Sequence, residues 1–248
     1  GSSNVAVGKL ASAAITSGNE NTVVGSRALG TANTATFNVA IGGDSMFGIP
    51  AEQAVAGVVA IGLEACKGGA STTTGIDGTV AVGRAALKVL TTGANNTAIG
   101  YNALAEATTA SNNVALGYRA LDAIVGQQDV DNVSAGHYNI AIGVDSMGGV
   151  NAGTHATALT DSNIAIGTNA LIGASFVGAD LDLLGNVVIG HHAMASTSNN
   201  AQTGTIAIGY QSLNALTSGA INTAIGYQSM LATITGANNT ALGYQSLK

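Results

Sequence analysis

Thirteen times along the chain a short phrase recurs, a run of three small or hydrophobic residues, usually preceded by asparagine and always closed by glycine. Its glycines stand at 8, 25, 42, 62, 83, 100, 117, 143, 167, 190, 209, 226 and 243, so successive copies are separated by 17 residues or by 17 plus an insertion. A constant minimum with variable excess is the signature of a solenoid, in which each repeat adds one coil and the extra residues form loops on the side. The sequence therefore predicts an all-β fold, a parallel β-roll or β-solenoid of about 13 coils spanning 1–248 as a single repeat domain. Its loop insertions fall between residues 47 and 204.

We number the phrase 1 to 5, so that Asn96-Thr97-Ala98-Ile99-Gly100 occupies positions 1 to 5 of its coil. Position 2 is β-branched in all thirteen copies, and position 4 is always Val, Ile or Leu. Side chains two apart share a face of a strand, and β-branched residues favour that conformation, so these two positions are expected to face the core. Position 1 is Asn in ten copies, and position 3 is Ala in all but Val23 and Val188. A face so small and uncharged is expected to be covered as well, by a second chain packed lengthwise. On this reading Ala98, Ala115, Ala141, Ala165, Ala207, Ala224 and Ala241 form a face packed against other copies of the chain. The asparagines are expected to bond up and down the stack as an amide ladder.

Past the glycine, position 8 is always Ala or Ser and position 9 is Leu or Met except at Ser12 and Cys66, a second buried stripe. Positions 6 and 7 vary freely and are expected to face water. Tyr101, Tyr118, Tyr210, Tyr227 and Tyr244 all occupy position 6, which predicts a surface ladder about one strand spacing apart.

Composition excludes several functions. Only 8% of the residues are charged and the net charge is −6, so no basic surface exists for nucleic acid or an anionic membrane. No apolar run is long enough to span a bilayer as a helix. The single cysteine rules out an intrachain disulfide framework, and as a replacement for Leu or Met it reads as a small core residue.

Little points to catalysis, and the chain is read as no enzyme. There is no nucleophile elbow, no phosphate loop and no paired metal motif. No cofactor is implied. The insertions at 47–57, 67–78, 122–138, 148–162, 172–185 and 195–204 are where specific recognition would sit. Asp122, Asp129 and Asp131 in one, and Asp180 and Asp182 in another, are weak candidates for Ca2+, because they lack the glycine and closing glutamate of a helix-loop-helix calcium site. His191 is a further weak metal candidate; on an extended strand it and His192 would point to opposite sides.

The segment Asn222-Thr223-Ala224-Ile225-Gly226-Tyr227-Gln228-Ser229 resembles the repeats of trimeric autotransporter adhesin heads, and similar repeats occur in phage tail fibres. The resemblance covers the whole chain. It implies a left-handed roll in a homotrimer, working in attachment at a cell surface, outside the cell or on a virion, with a host receptor or glycan as partner. The adhesin repeats are shorter, about 14 residues, so each coil here is expected to carry a longer return. The chain is read as a segment of a longer fibre. The alternative is the subunit of an extracellular filament that polymerises head to tail.

Overall fold

The computed structural model describes residues 1–69, 73–124, 136–149, 160–173, 182–196 and 202–248. They form two compact units, Gly1–Asn113 and Val114–Lys248. Both are parallel β-solenoid, and no helix occurs among the described residues. The first unit carries β1 (Val5–Val7), β2 (Thr22–Val24), β3 (Val39–Ile41), β4 (Val59–Ile61), β5 (Val80–Val82) and β6 (Thr97–Ile99). The second carries β7 (Val114–Leu116), β8 (Ile140–Ile142), β9 (Thr160–Asp161), β10 (Ile164–Ile166), β11 (Leu183–Leu184), β12 (Val187–Ile189), β13 (Gln202–Thr203), β14 (Ile206–Ile208), β15 (Thr223–Ile225) and β16 (Thr240–Leu242).

Every phrase supplies one strand, and within each unit it pairs in parallel with its counterpart in the next coil, position on position. Thr22 lies against Val39, Val59 against Val80 and Ile206 against Thr223. The insertions leave this register untouched: β8 and β10 pair Ala141 with Ala165 although 24 residues separate their glycines. In the second unit β9, β11 and β13 form a short additional parallel sheet just before their phrases.

The two strand faces are exchanged relative to expectation. Position 3 points into the coil: Ala98, Ala115, Ala141, Ala165, Ala207 and Ala224 are fully buried within the single chain, and Ala241 is 4% exposed. No second chain is needed to cover these alanines, so they are not a trimer-packing face. Positions 2 and 4 point outward and are half-buried or exposed in every coil, as in β3, β8 and β14. The reason is the bore of a 17-residue coil. The lumen is filled from the opposite wall by position 9, with Leu29, Met46, Leu87, Leu104, Leu121 and Met147 fully buried, and by return residues such as Ile49, Ile76 and Leu90. Against that wall a strand has room for alanine and not for valine or isoleucine.

Positions 8 and 9 both point inward, which an extended chain cannot achieve. Left-handed residues on either side of position 8 allow it. Position 7 lies between φ 53° and 58° at Gln211, Asn102 and Glu64, and position 9 between 46° and 51° at Leu29, Leu104 and Met46. Such φ values are unfavourable for Leu and Met, and burial of the side chain compensates. A third left-handed site, the corner just before position 1, recurs through both units. It is held by Glu20, Phe37, Gly57, Gly78 and Asn95 in the first, and by Tyr138, Ser162, Gly185, Gly204, Ile221 and Asn238 in the second.

Two devices hold coil to coil. The asparagine ladder is present as expected, and each buried amide is fully used. Asn163 Nδ2 donates to Asn139 Oδ1 at 3.1 Å and to the carbonyl of Leu183 at 2.7 Å. Its own Oδ1 accepts from Asn186 N–H at 3.0 Å and from Asn186 Nδ2 at 2.9 Å. The same pattern joins Asn4, Asn21 and Asn38. The ladder is interrupted where position 1 is Val58, Thr79 or Thr205, and Thr79 Oγ1 is buried with no partner. The second device is the glycine at position 5. Gly62 has φ +135°, and a Cβ there would lie 2.5 Å from the carbonyl oxygen of Gly83 in the next coil.

Two predictions follow from these contacts. Asn163→Leu strands the buried amide of Asn186 and the carbonyl of Leu183, so denaturant unfolding should show a loss of about 3 kcal/mol. Gly62→Ala forces a side chain into both a left-handed backbone and its neighbour's carbonyl, and should cost on the order of 2 kcal/mol or more by the same measurement.

Candidate functional site

Three surfaces were singled out by sequence: the position 6 ladder, the acidic insertions and the phrase strands. In the second unit the ladder runs His191, Tyr210, Tyr227, Tyr244. Neighbouring ring centroids are 5.5, 5.1 and 5.4 Å apart and the rings are within 13° of parallel. Beside it position 7 forms an amide ladder, in which Gln228 Nε2 donates to Gln211 Oε1 and Gln245 Nε2 to Gln228 Oε1, both at 2.9 Å. Stacked tyrosines turn their π-faces toward one another. What they offer outward is a row of ring edges and phenol hydroxyls, so a sugar has no row of ring faces on which to lie. In the first unit Tyr101 receives the Arg84 guanidinium over its ring at 5.7 Å.

Position 7 pairs residues of adjacent coils more widely than sequence reasoning foresaw. Arg27 Nη2 donates to Asp44 Oδ2 at 2.6 Å, and Asn169 Nδ2 lies 3.2 Å from His192 Nε2. The Glu64 carboxylate lies 2.9 Å from both Lys67 Nζ and Lys88 Nζ, and these ammonium groups hold its pKa down at about 2. For the first two pairs the signal was present as complementary residues at position 7 of consecutive coils, whereas Glu64 binds the position 10 lysines of its own coil and of the next.

The metal candidates do not converge. Asp122 is buried and engaged, accepting Arg119 Nε at 2.6 Å through Oδ2 and the Gly149 N–H at 3.2 Å through Oδ1. This contact raises the Arg119 pKa above its ordinary value. Asp182 adjoins β11, where its backbone carbonyl accepts the Gln202 N–H at 2.9 Å. Asp129, Asp131 and Asp180 lie outside the described residues. His191 and His192 are not on opposite sides: their ring centroids are 4.2 Å apart, because His192 is left-handed at φ 56° and the strand has already ended. The second ring is engaged by Asn169, and no group of three or more potential ligands occurs among the described residues.

The phrase strands make the most extensive surface. In the first unit Val5, Val7, Thr22, Val24, Val39 and Ile41 begin an outward face that continues through Val59, Ile61, Val80, Val82, Thr97 and Ile99. The second unit repeats it from Val114 and Leu116 to Thr240 and Leu242. Neither stretch contains a charged residue. An all-parallel sheet normally has both faces covered, and here the chain covers only one. In the first unit an open apolar depression of about 540 Å³ also lies at the insertion after β3, lined by Ala14, Gly30, Thr31, Phe47, Ile49 and Pro50.

Cys66 sits at position 9 as a core residue, wholly buried, and burial pushes its thiol up to about 12. It should resist thiol reagents in the native protein and react stoichiometrically once the chain is denatured, which a chromogenic disulfide assay would measure. No family model, no curated protein and no solved structure matches the chain.

Proposed function

We propose that this chain is a structural and adhesive fibre module, a homotrimer whose three rolls pack through the outward face of the phrase strands. It forms the shaft or head of an extracellular fibre or phage tail fibre that attaches to a surface or host. The observation that carries the reading is the uncharged Val, Ile, Leu and Thr face repeated without a break in each unit. An exposed apolar surface of that extent marks an interface. Its periodicity selects the partner, since a second surface that buries every coil must present apolar groups at the same axial interval, and another copy of the same face does so. The resemblance to the adhesin repeats points the same way and suggests three copies around one axis.

Attachment falls to the insertions. The repeat has no catalytic constellation to offer, and its chemistry is mechanical. Every coil bears the same load-carrying strand, and loops vary beside it.

Sedimentation equilibrium should give three times the 24.1 kDa chain mass. Ile166→Glu with Ile189→Glu places two carboxylates on the outward face of adjacent paired strands. This double variant should dissociate to single chains while keeping its β-type circular dichroism. A wild-type protein that sediments as one chain at high concentration would overturn the reading.

A further inference from the structure

We infer that the two long edges of the outward face form a size-matched seam between neighbouring copies of this chain, each coil meeting the same coil of its neighbour. The inference rests on the self-association proposed above and identifies the residues that set its register. One edge is the left-handed corner before position 1, and the other is position 6.

In five coils a glycine at one of these positions goes with a large residue at the other. All four corner glycines precede a large residue at position 6: Gly57 goes with Leu63, Gly78 with Arg84, Gly185 with His191 and Gly204 with Tyr210. The reverse also occurs, for the large corner residue Phe37 goes with Gly43. Coils with two modest residues, such as Ser162 and Thr168, leave little to match, and Tyr138 with Val144 and Ile221 with Tyr227 are apolar on both edges.

Contact within a coil does not account for this pairing. Six residues of near-extended backbone separate the two positions, about 20 Å, so they do not touch within one coil. At Gly57, Gly185 and Gly204 the chain's own packing does not demand glycine, whereas a Cβ on Gly78 would lie 2.8 Å from Asn95 Oδ1. A Cβ built on Gly185 or Gly204 meets nothing within 4 Å. Phe37 and Ile221 occupy the same corner at φ 58° and 60°, with their side chains 59% and 61% exposed, so the conformation accepts large residues. The space left by those three corner glycines is therefore kept free for something outside the chain. In a cyclic assembly with its axis along the solenoid, one edge of each copy faces the opposite edge of the next at equal height. Tyr210 of one copy then fills the space over Gly204 of its neighbour, and Phe37 packs over Gly43 against Leu63, whose Cδ1 stands 3.3 Å from where a Cβ on Gly43 would be. The aromatic ladder is on this reading part of the seam.

The test is a full-length chain carrying Asn95→Cys and Tyr101→Cys, which belong to one coil. Mild oxidation should give covalent species of two and three chains, with Cys66 silent because it is buried. Asn95→Cys with Lys9→Cys, five coils apart in the same unit, should give none. Cross-linking by the five-coil pair would mean antiparallel or staggered copies and overturn the seam. A three-chain mass without same-coil cross-links would overturn the seam and leave the association standing, whereas a one-chain mass would remove both. A size exchange gives an independent reading. Gly204→Phe should weaken association by more than about tenfold, and adding Tyr210→Gly should restore it. Unchanged association in Gly204→Phe would also overturn the inference.

Discussion

Everything in this fold depends on each coil fitting directly against a near copy of itself one strand spacing away. Such stacking is unforgiving where backbone meets backbone. At position 5 the next coil's carbonyl stands where a side chain would begin, so glycine there reflects a contact between coils more than a turn within one. The same constraint makes asparagine useful at position 1. Its amide has a donor and an acceptor pointing along the stack, so identical side chains satisfy one another. A threonine at this position is a poorer substitute, as the unpartnered hydroxyl of Thr79 illustrates.

The period, the strands, the glycine contacts and the amide ladder were all legible in the sequence, because each repeats at one spacing and stacking makes repetition equivalent to contact. The orientation of the strand was not. Period-2 alternation says that positions 2 and 4 share a face and that 1, 3 and 5 share the other, but it does not say which is inside. Hydrophobicity favours Val and Ile for the interior, and volume decides otherwise. In a lumen already filled by Leu29 or Leu104 from the far wall, only alanine fits. The legible clue was the near-invariance of alanine at position 3, since residues that face solvent or a deformable partner tolerate more variation in size.

Backbone handedness was legible in part. The corner before position 1 announces itself through glycine and asparagine at residues 57, 78, 95, 112, 185, 204 and 238. Nothing comparable marks positions 7 and 9, where leucine, methionine, glutamate and arginine adopt φ values they ordinarily avoid. Those conformations are imposed from outside the residue, by the burial of position 9 and by hydrogen bonds to the adjacent coil. For the same reason the adjacent histidines 191 and 192 were misplaced on an extended strand: the strand stops at the glycine. The candidate metal residues failed on a different ground. Proximity in sequence within an insertion does not bring carboxylates together, and Asp122 is satisfied by Arg119 and a backbone amide.

The exchange of faces alters the argument for assembly without weakening it. Had the alanine face been outside, a partner would gain little from covering it, because methyl groups bury little apolar area. With the faces as observed, the strands turn their small residues inward and present their large ones, so the driving force for association lies where it is greatest. A flat periodic face nevertheless specifies register poorly, because sliding by one coil restores almost every contact. The features that break this degeneracy are those that differ from coil to coil, namely the corner residues and position 6. Phe37 has its small complement, Gly43, in one coil only, so the irregular edges supply the alignment that the regular face cannot.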